Sequence, residues 1–264
     1  MVLVIVIALV LVVVTKSPAK QNTTTTLVST SLLSQVTGVP ASVYTKVGLP
    51  SELSNYPKKV GKGYTALTSG GLPVMLYEGA EYCPFCAAER WAMVMALSKF
   101  GTFSNLHTTY SSVSDFAPDT ATFTFYNATY KSQYLVFQPY ELATNQSAAS
   151  SNACNVNGYA CLQTPPTSAS NLLTKLGGGS FPFMDFGNKV MQSGAGFGDQ
   201  PLALSGLSYT EIAQQLSDAS TPVAQAEDGS ANYITAAICS MTHNQPGDVC
   251  SAPYIKTAQT KAGL

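Results

Sequence analysis

Charged side chains are scarce in this chain of 264 residues. Asp, Glu, Lys and Arg make up 10% of it, whereas soluble domains typically contain about 25%. The 13 basic and 14 acidic residues nearly cancel, and the basic residues are scattered along the sequence. A nucleic-acid-binding surface needs a concentration of positive charge. The composition therefore gives no reason to expect a nucleic acid as a partner.

Histidine is even scarcer, because the chain has only His107 and His243, far apart in sequence. A structural zinc site usually combines several Cys and His ligands at short spacings, so the sequence disfavours a metal site. No Ser-His-Asp series or catalytic carboxylate pair is identifiable. We interpret His107 as a structural residue of a strand, and the single tryptophan, Trp91, as part of a packed helix face.

Long apolar runs are missing too, apart from residues 2–14. This run is shorter than the ~20 residues that a membrane-spanning helix needs, and its length is typical of a signal sequence. We expect residues 1–15 to be a signal sequence or a short membrane anchor. Residues 16–42 are rich in Ser and Thr and are expected to form a solvated stalk. Residues 43–264 would then form the folded domain.

Three Asn-x-Ser/Thr sequons are candidate glycosylation sites, at Asn22, Asn127 and Asn145. Together with the apolar leader they favour an exported glycoprotein. The six cysteines are an even number, which agrees with an oxidising compartment. We therefore expect an extracytoplasmic protein that is either membrane-anchored or secreted.

The strongest chemical signal is the motif Cys-Pro-Phe-Cys at residues 83–86. It follows an apolar, strand-like run at residues 72–77 and opens a helix-like run at residues 87–100. A C-x-x-C motif at such a junction is typical of thioredoxin-like redox proteins. The first thiol would lie at a helix N-terminus, where unpaired N–H groups and the helix dipole favour the thiolate. The sequence predicts a redox pair, Cys83 and Cys86.

A second element supports this interpretation. The dipeptide Phe181-Pro182 follows a glycine break at residues 177–179 and precedes a predicted hairpin at residues 183–194. In thioredoxin-like folds a cis-proline loop faces the motif. We therefore expect the Phe181–Pro182 bond to be cis and to lie against the two cysteines.

The order of elements predicts an α/β protein with a thioredoxin-like fold, in which helices flank a central mixed sheet. A helix with a capping box between Ser208 and Glu211 follows the hairpin. Residues 112–179 are expected to be an insertion between the motif half and the proline half. Its aromatic runs at residues 123–126 and 134–137 are interpreted as paired strands.

Four cysteines lie outside the motif. Six cysteines permit fifteen pairings, and nearness in sequence favours two local structural disulfides, each stabilising by about 2–3 kcal/mol. The predicted pairs are Cys154–Cys161 and Cys239–Cys250. Two alternatives stay open, namely that the Cys154/Cys161 pair passes electrons to the motif and that the motif itself is a structural disulfide.

The chain resembles the thioredoxin superfamily. It is most similar to an uncharacterised family of exported archaeal proteins that is defined as a domain of unknown function. Residues 77–91 and 180–185 carry the likeness, which covers residues 43–264. It implies that Cys83 is an exposed attacking sulfur and Cys86 the resolving one. The predicted substrate-binding residues surround them: Tyr82, Pro84, Phe85, Phe181 and Pro182.

The leading hypothesis is an extracytoplasmic thiol–disulfide oxidoreductase that acts on the thiols or disulfides of exported proteins. Cys83 would form a mixed disulfide and Cys86 would resolve it, so no dissociable cofactor is required. The membrane would be a further partner through the N-terminal segment. The alternative is a cell-surface structural glycoprotein with the same fold and three structural disulfides. An acidic environment would favour this alternative, because few thiols ionise there and disulfide exchange would be slow.

Overall fold

A computed structural model describes residues 20–53, 55–149 and 155–264. The strands are β1 (Thr26–Leu27), β2 (Lys58–Lys59), β3 (Thr68–Ser69), β4 (Leu72–Gly79), β5 (Gly101–Ser104), β6 (His107–Tyr110), β7 (Ala121–Thr124), β8 (Thr129–Ser132), β9 (Val136–Glu141), β10 (Ala143–Ser147), β11 (Asn155–Val156), β12 (Tyr159–Cys161), β13 (Phe183–Phe186) and β14 (Val190–Ser193). The helices are α1 (Thr30–Thr37), α2 (Ala41–Val47), α3 (Pro84–Leu97), α4 (Thr167–Gly177), α5 (Gln200–Leu204), α6 (Tyr209–Gln215), α7 (Pro222–Met241), α8 (Gly247–Cys250) and α9 (Pro253–Ala262).

A mixed sheet forms the centre of the protein. Its order is β2–β14–β13–β4–β3, and β9 pairs parallel to β4. β13 pairs antiparallel to β4, with Phe183 opposite Glu78. From Val74 onward β4 is buried, because its two neighbouring strands and the helices on both faces exclude water. The continuous apolar run at residues 72–77 is what such a strand requires.

Helices cover both faces of this sheet. α3 and α7 pack against each other beneath Met75 and Tyr77, and almost every residue of both helices is buried. Both helices therefore lie in the core, although each also carries buried charged residues. α4 packs on the opposite face through Leu173, beside Leu76. The protein is thus a mixed α/β structure, a mixed sheet flanked by helices.

Several local predictions are confirmed. The motif helix and the β13–β14 hairpin lie where the sequence places them, with Asn188 in the left-handed conformation at the turn. Ser208 caps α6, and the Glu211 carboxylate accepts a hydrogen bond from the Ser208 N–H at 2.8 Å. Trp91 is fully buried and donates its indole N–H to the Ala121 carbonyl.

The predicted insertion at residues 112–179 needs correction. β9 lies within this range but belongs to the central sheet, where Leu76 pairs with Gln138. The two aromatic runs are not paired with each other, because β7 pairs with β6 and β9 pairs with β4. Short-range alternation reveals strands, but it carries no information about which distant strand lies alongside.

The predicted stalk also differs from the structure. From residue 20 onward this segment packs on the domain: Thr26 pairs with Thr108 in β6, and α1 buries Val36 completely. The Gln21 side chain donates to the Ser111 carbonyl and accepts from the Val113 N–H, both at 3.0 Å. Apolar residues at helical spacing outweigh the high Ser and Thr content here.

The leader at residues 1–15 lies outside the described residues. Within the described part of the chain, no helix is sufficiently long and apolar to cross a membrane.

One of the two predicted structural disulfides is confirmed. Cys239, near the end of α7, is bonded to Cys250 in α8, with their Cα atoms 5.6 Å apart. Cys161 is also disulfide-bonded, whereas its predicted partner Cys154 lies outside the described residues. The α7–α8 connection is therefore closed by a covalent bond.

Candidate active site

The motif lies at the junction between β4 and α3, as predicted. Cys83 is the N-cap residue of α3 and Pro84 is its first helical residue. The Cys83 sulfur accepts a hydrogen bond from the Cys86 N–H at 3.2 Å. Both motif cysteines are free thiols. The helix N-terminus therefore directs one of its unpaired N–H groups at the Cys83 sulfur.

The two thiols differ in exposure, although less than the resemblance implies. Cys86 is completely buried and Cys83 is 5% exposed. The expectation of an exposed attacking sulfur is thus wrong for this conformation. The cause is a short hairpin that lies over the motif.

We call this hairpin, residues 155–161, the cover hairpin. Its Tyr159 ring stacks on Tyr82 with centroids 4.0 Å apart and planes 7° apart. Asn157 donates to the Tyr82 hydroxyl, and the Tyr159 hydroxyl donates to Ser112 Oγ, each at 2.7 Å. Val156 and Tyr159 pack against the apolar cluster that contains both cysteines. The cover hairpin therefore shields Cys83 through contacts with the neighbouring Tyr82.

The proline loop also packs against the motif. The Phe181–Pro182 bond is cis, as predicted. Phe181 packs against the cysteine cluster and makes an edge contact with Tyr82 at 6.2 Å. Phe85 is half-buried and contacts Phe116, which is 50% exposed. Tyr82, Phe85 and Phe181 thus lie around the motif, as predicted, and Phe116 adds a ring that the sequence analysis did not identify.

A buried ion pair beside the thiols was missed by the sequence analysis. Arg90 and Glu141 are both completely buried and form two hydrogen bonds of 2.9 and 2.7 Å. Arg90 Nη2 also donates to the Ala80 carbonyl at 2.8 Å. Arg90 follows Cys86 by four residues, so the two share one face of α3. The four-residue spacing from Cys86 could have indicated Arg90 from the sequence. Glu141 lies in β9, far away in the chain, and no local pattern indicates it.

The surroundings shift the two thiol pKa values in opposite directions. Burial raises the pKa of Cys83, but hydrogen bonds from the Cys86 side chain and N–H and the charge of Arg90 outweigh it, and the pKa is lowered. Burial, the hydrogen bond to Cys83 and the negative charge of its thiolate raise the pKa of Cys86 far above its ordinary value. Cys83 is therefore the more acidic thiol of the pair, and Cys86 holds its proton more tightly.

The Tyr77 hydroxyl is the polar group next to Cys86. A Cβ atom at Gly79 would clash with this hydroxyl and would lie 3.2 Å from the Cys86 sulfur, so only glycine fits between them. Burial raises the pKa of Tyr77 well above its ordinary value, which keeps the hydroxyl protonated. It has no hydrogen-bond partner among the described residues and is available as a donor.

Glu81 lies two residues before Cys83, where a nearby ionised carboxylate would disfavour the thiolate. It is 6% exposed, and burial, followed by the charge of Glu141, raises its pKa to about 7. Below that pH the side chain is mostly neutral. Its effect on the thiolate is therefore confined to neutral and alkaline conditions.

The sequons occupy different environments. Asn127 is exposed and Asn22 is half-buried. Asn145 is 3% exposed, and its amide donates to the Asn22 and Tyr110 carbonyls at 2.8 and 2.9 Å. The folded chain offers no room for a glycan on Asn145, because the amide nitrogen is enclosed and already bonded.

The chemistry available at this site is that of thiols. The described residues contain no group of three or more His, Cys, Asp or Glu side chains placed to hold a metal ion. A thiolate, a protonated second thiol and a buried cation can together form and break disulfide bonds.

Comparison with curated proteins and with solved structures gives no match. One family model, described as Domain of unknown function (DUF929), matches residues 58–240. The matched range contains the motif, the proline loop and both members of the buried ion pair. Because it spans more than half of the 264 residues, the chain belongs to the DUF929 family.

Proposed function

We propose that this protein is an extracytoplasmic thiol–disulfide oxidoreductase acting on exported proteins. The observation that carries the proposal is the asymmetry of the motif. Two free thiols lie at one helix N-terminus, and their pKa values are shifted in opposite directions. Such a pair supplies one attacking and one resolving sulfur.

We propose also that the fold is thioredoxin-like. β4 leads into the motif helix α3, and β9 runs parallel to β4. The proline loop, the β13–β14 hairpin and α7 follow, and α7 packs on α3. This order of strand, motif helix, parallel strand, proline, hairpin and helix supports the assignment.

The reaction needs only the two motif thiols and a substrate disulfide. The Cys83 thiolate attacks one substrate sulfur, which forms a mixed disulfide and releases the other substrate sulfur as a thiolate. Cys86 gives up its proton and attacks the Cys83 sulfur, which releases the second substrate sulfur. The two released thiolates take up protons, so the substrate gains two electrons and the motif becomes a disulfide. The reverse sequence oxidises a substrate dithiol.

Arg90 supports the first step because its charge stabilises the thiolate of Cys83. The cover hairpin opposes it, because Cys83 is only 5% exposed and gives a protein substrate little access to its sulfur. The cycle therefore includes an opening of the cover hairpin, in which the Tyr82–Tyr159 stack separates. An apolar leader at residues 2–14 and the Cys239–Cys250 disulfide support an oxidising, extracytoplasmic setting.

Trapping of mixed disulfides tests the proposal. Cys86→Ser should accumulate mixed disulfides with exported proteins, because Cys83 still attacks but nothing resolves the product. Cys83→Ser should trap few, because Cys86 is completely buried and its pKa is raised. Non-reducing electrophoresis of the two variants, expressed at equal levels, gives the comparison. Equal trapping by both variants, or none by either, would contradict the mechanism.

The low exposure of Cys83 favours a second candidate, a cell-surface structural glycoprotein of the same fold. In that case the motif thiols are packing residues or form a structural disulfide. Neither cysteine variant would trap a partner, and both would lose similar thermal stability. The same pair of variants therefore separates the two functions.

A further inference from the structure

The second motif thiol has to ionise inside the core of the protein. Cys86 is completely buried, so water cannot solvate its thiolate. Burial is the largest cause of its raised pKa, and burial remains when Cys83 is bonded to a substrate sulfur. A charge in such a site is stable only if buried donors face it.

Two donors already act on Cys86. Against the effect of burial, the charge of Arg90 and a hydrogen bond from the Ala80 backbone lower the pKa of Cys86. Arg90 donates to Glu141 and to the Ala80 carbonyl through Nε and Nη2. Its Nη1 is buried and has no acceptor among the described residues. The surroundings of Cys86 therefore contain a buried donor that is still unpaired.

The Tyr77 hydroxyl is a second unpaired donor. Tyr77 is completely buried in β4, and its hydroxyl has no hydrogen-bond partner among the described residues. The hydroxyl and the Cys86 sulfur lie on the same side of Gly79, where an added Cβ atom would clash with the hydroxyl and lie 3.2 Å from the sulfur. The missing side chain at Gly79 thus leaves the hydroxyl and the sulfur next to each other.

The neighbour of this hydroxyl matters more than its lack of a partner. The hydroxyls of Tyr44 and Tyr233 are also buried without partners, but only Tyr77 lies beside a thiol that must ionise in the proposed reaction. A neutral thiol is a weak acceptor, whereas an ionised acceptor forms a much stronger hydrogen bond. An unused donor beside the neutral thiol is therefore expected of a group that acts on the charge developing during the reaction.

We propose that the Tyr77 hydroxyl donates a hydrogen bond to the Cys86 thiolate and thereby promotes resolution of the mixed disulfide, an inference that rests on the proposed function. In this step the Cys86 proton passes to the substrate thiolate released earlier, the Cys83–Cys86 bond forms, and the bond between Cys83 and the substrate breaks. Tyr77 keeps its own proton throughout, because burial raises its pKa well above the ordinary value. No molecule has to enter the buried site, since donor and acceptor both belong to the chain.

The variant Tyr77→Phe removes the hydroxyl and keeps the ring, which makes an edge contact with Phe125 at 5.3 Å. The hydroxyl has no partner to lose, so the free energy of unfolding should not fall. Ionisation of Cys86 is measured in a Cys83→Ala background from the S–H stretching band in Raman spectra, which disappears as the thiol ionises. Tyr77→Phe should lower the acid dissociation constant of Cys86 about ten- to a hundredfold, because a hydrogen bond to a charged group is lost.

The two chemical steps are separated with the aromatic disulfide dithiobis(nitrobenzoate) and the chain that retains both motif thiols. Attack by Cys83 releases a first coloured thiolate, and resolution by Cys86 releases a second. Tyr77→Phe should leave the first phase nearly unchanged and slow the second about three- to tenfold; the rate falls less than the dissociation constant because a less stabilised thiolate is a stronger nucleophile. Tyr233→Phe is the matched control, since it removes a buried hydroxyl without a partner from α7, and it should change neither phase.

The titration of Cys86 needs no substrate, so it tests Tyr77 separately from the proposed function. A lowered dissociation constant in Tyr77→Phe together with no trapping of exported proteins would support the hydrogen bond and count against the proposed function alone. An unchanged dissociation constant, equal slowing of both phases, or an equal effect of Tyr233→Phe would overturn the inference. So would a Tyr77→Phe chain that is unfolded by circular dichroism, because the hydroxyl would then have a structural role.

Discussion

Replacing Arg90 should affect both the stability of the protein and the acidity of its thiols. Arg90→Met keeps most of the side-chain volume but removes the charge and the two hydrogen bonds, of 2.9 and 2.7 Å, to Glu141. The Phe125 N–H, at 3.2 Å, is the other recorded donor to that carboxylate. Removing one member of a buried ion pair typically costs about 3–5 kcal/mol. We expect a loss of that size in the free energy of unfolding.

The double variant Arg90→Met/Glu141→Gln removes both charges and keeps an oxygen to accept from the Phe125 N–H. It should therefore be more stable than the sum of the single changes predicts, with a coupling free energy of about 2–3 kcal/mol. Urea unfolding of the wild type, both single variants and the double variant gives this value.

The same double variant isolates the effect on the thiol. Arg90 lowers the pKa of Cys83, so its loss should raise that pKa, as measured from the pH dependence of alkylation. Glu89→Gln is the matched control, since it removes a buried charge from the next position of α3 without a direct effect on Cys83. Additive losses of stability, or a Cys83 pKa that is unchanged in the double variant, would refute the reasoning.

Three further predictions concern pH, access and modification. Burial raises the pKa of Glu89 to about 7 from 4.5, and burial and the charge of Glu89 raise that of Glu227 well above its ordinary value. These two groups should therefore leave the free energy of unfolding highest below about pH 4.5 and lower it as the pH rises through 7. Denaturant unfolding at a series of pH values measures this, and a free energy of unfolding that rises over that window would contradict it. Tyr159→Ala removes the ring that stacks on the neighbour of Cys83 and should increase the rate of Cys83 alkylation by iodoacetamide severalfold, whereas an unchanged rate would mean that the cover hairpin does not control access. If the protein is exported and glycosylated, Asn127→Gln should reduce its mass by one glycan, because this sequon is exposed; an unchanged mass would exclude this site.

The parts of the fold that follow from local patterns were predictable. The apolar run of β4, the helix after Cys83 and the capping box at Ser208 depend on residues within a few positions of each other. Their physical causes are burial, an unpaired helix terminus and a reciprocal hydrogen bond. Each of these causes produces a recognisable pattern in residues that are close together in the sequence.

The electrostatics of the candidate site depend on distant residues. Glu141 lies 51 positions after Arg90 and reaches it only because β9 runs parallel to β4. The burial of Cys83 arises from Tyr159 and the cover hairpin, and no pattern near the motif indicates that contact. The composition of the N-terminal segment was misleading, since Val36 and the other apolar residues of α1 determine its packing more than the abundant Ser and Thr do.

The hydrogen bonds of Gln21 determine where the chain enters the domain. Gln21 is held at Ser111 and Val113, and the intervening Ser112 N–H donates to the Tyr82 carbonyl at 2.9 Å, directly before Cys83. If residues 2–14 are held in a lipid bilayer, the six residues 15–20 are the whole tether. Fully extended, they reach about 20 Å. The motif would then be held close to the lipid surface, and under the proposed redox function the proteins within its reach would be those at that surface.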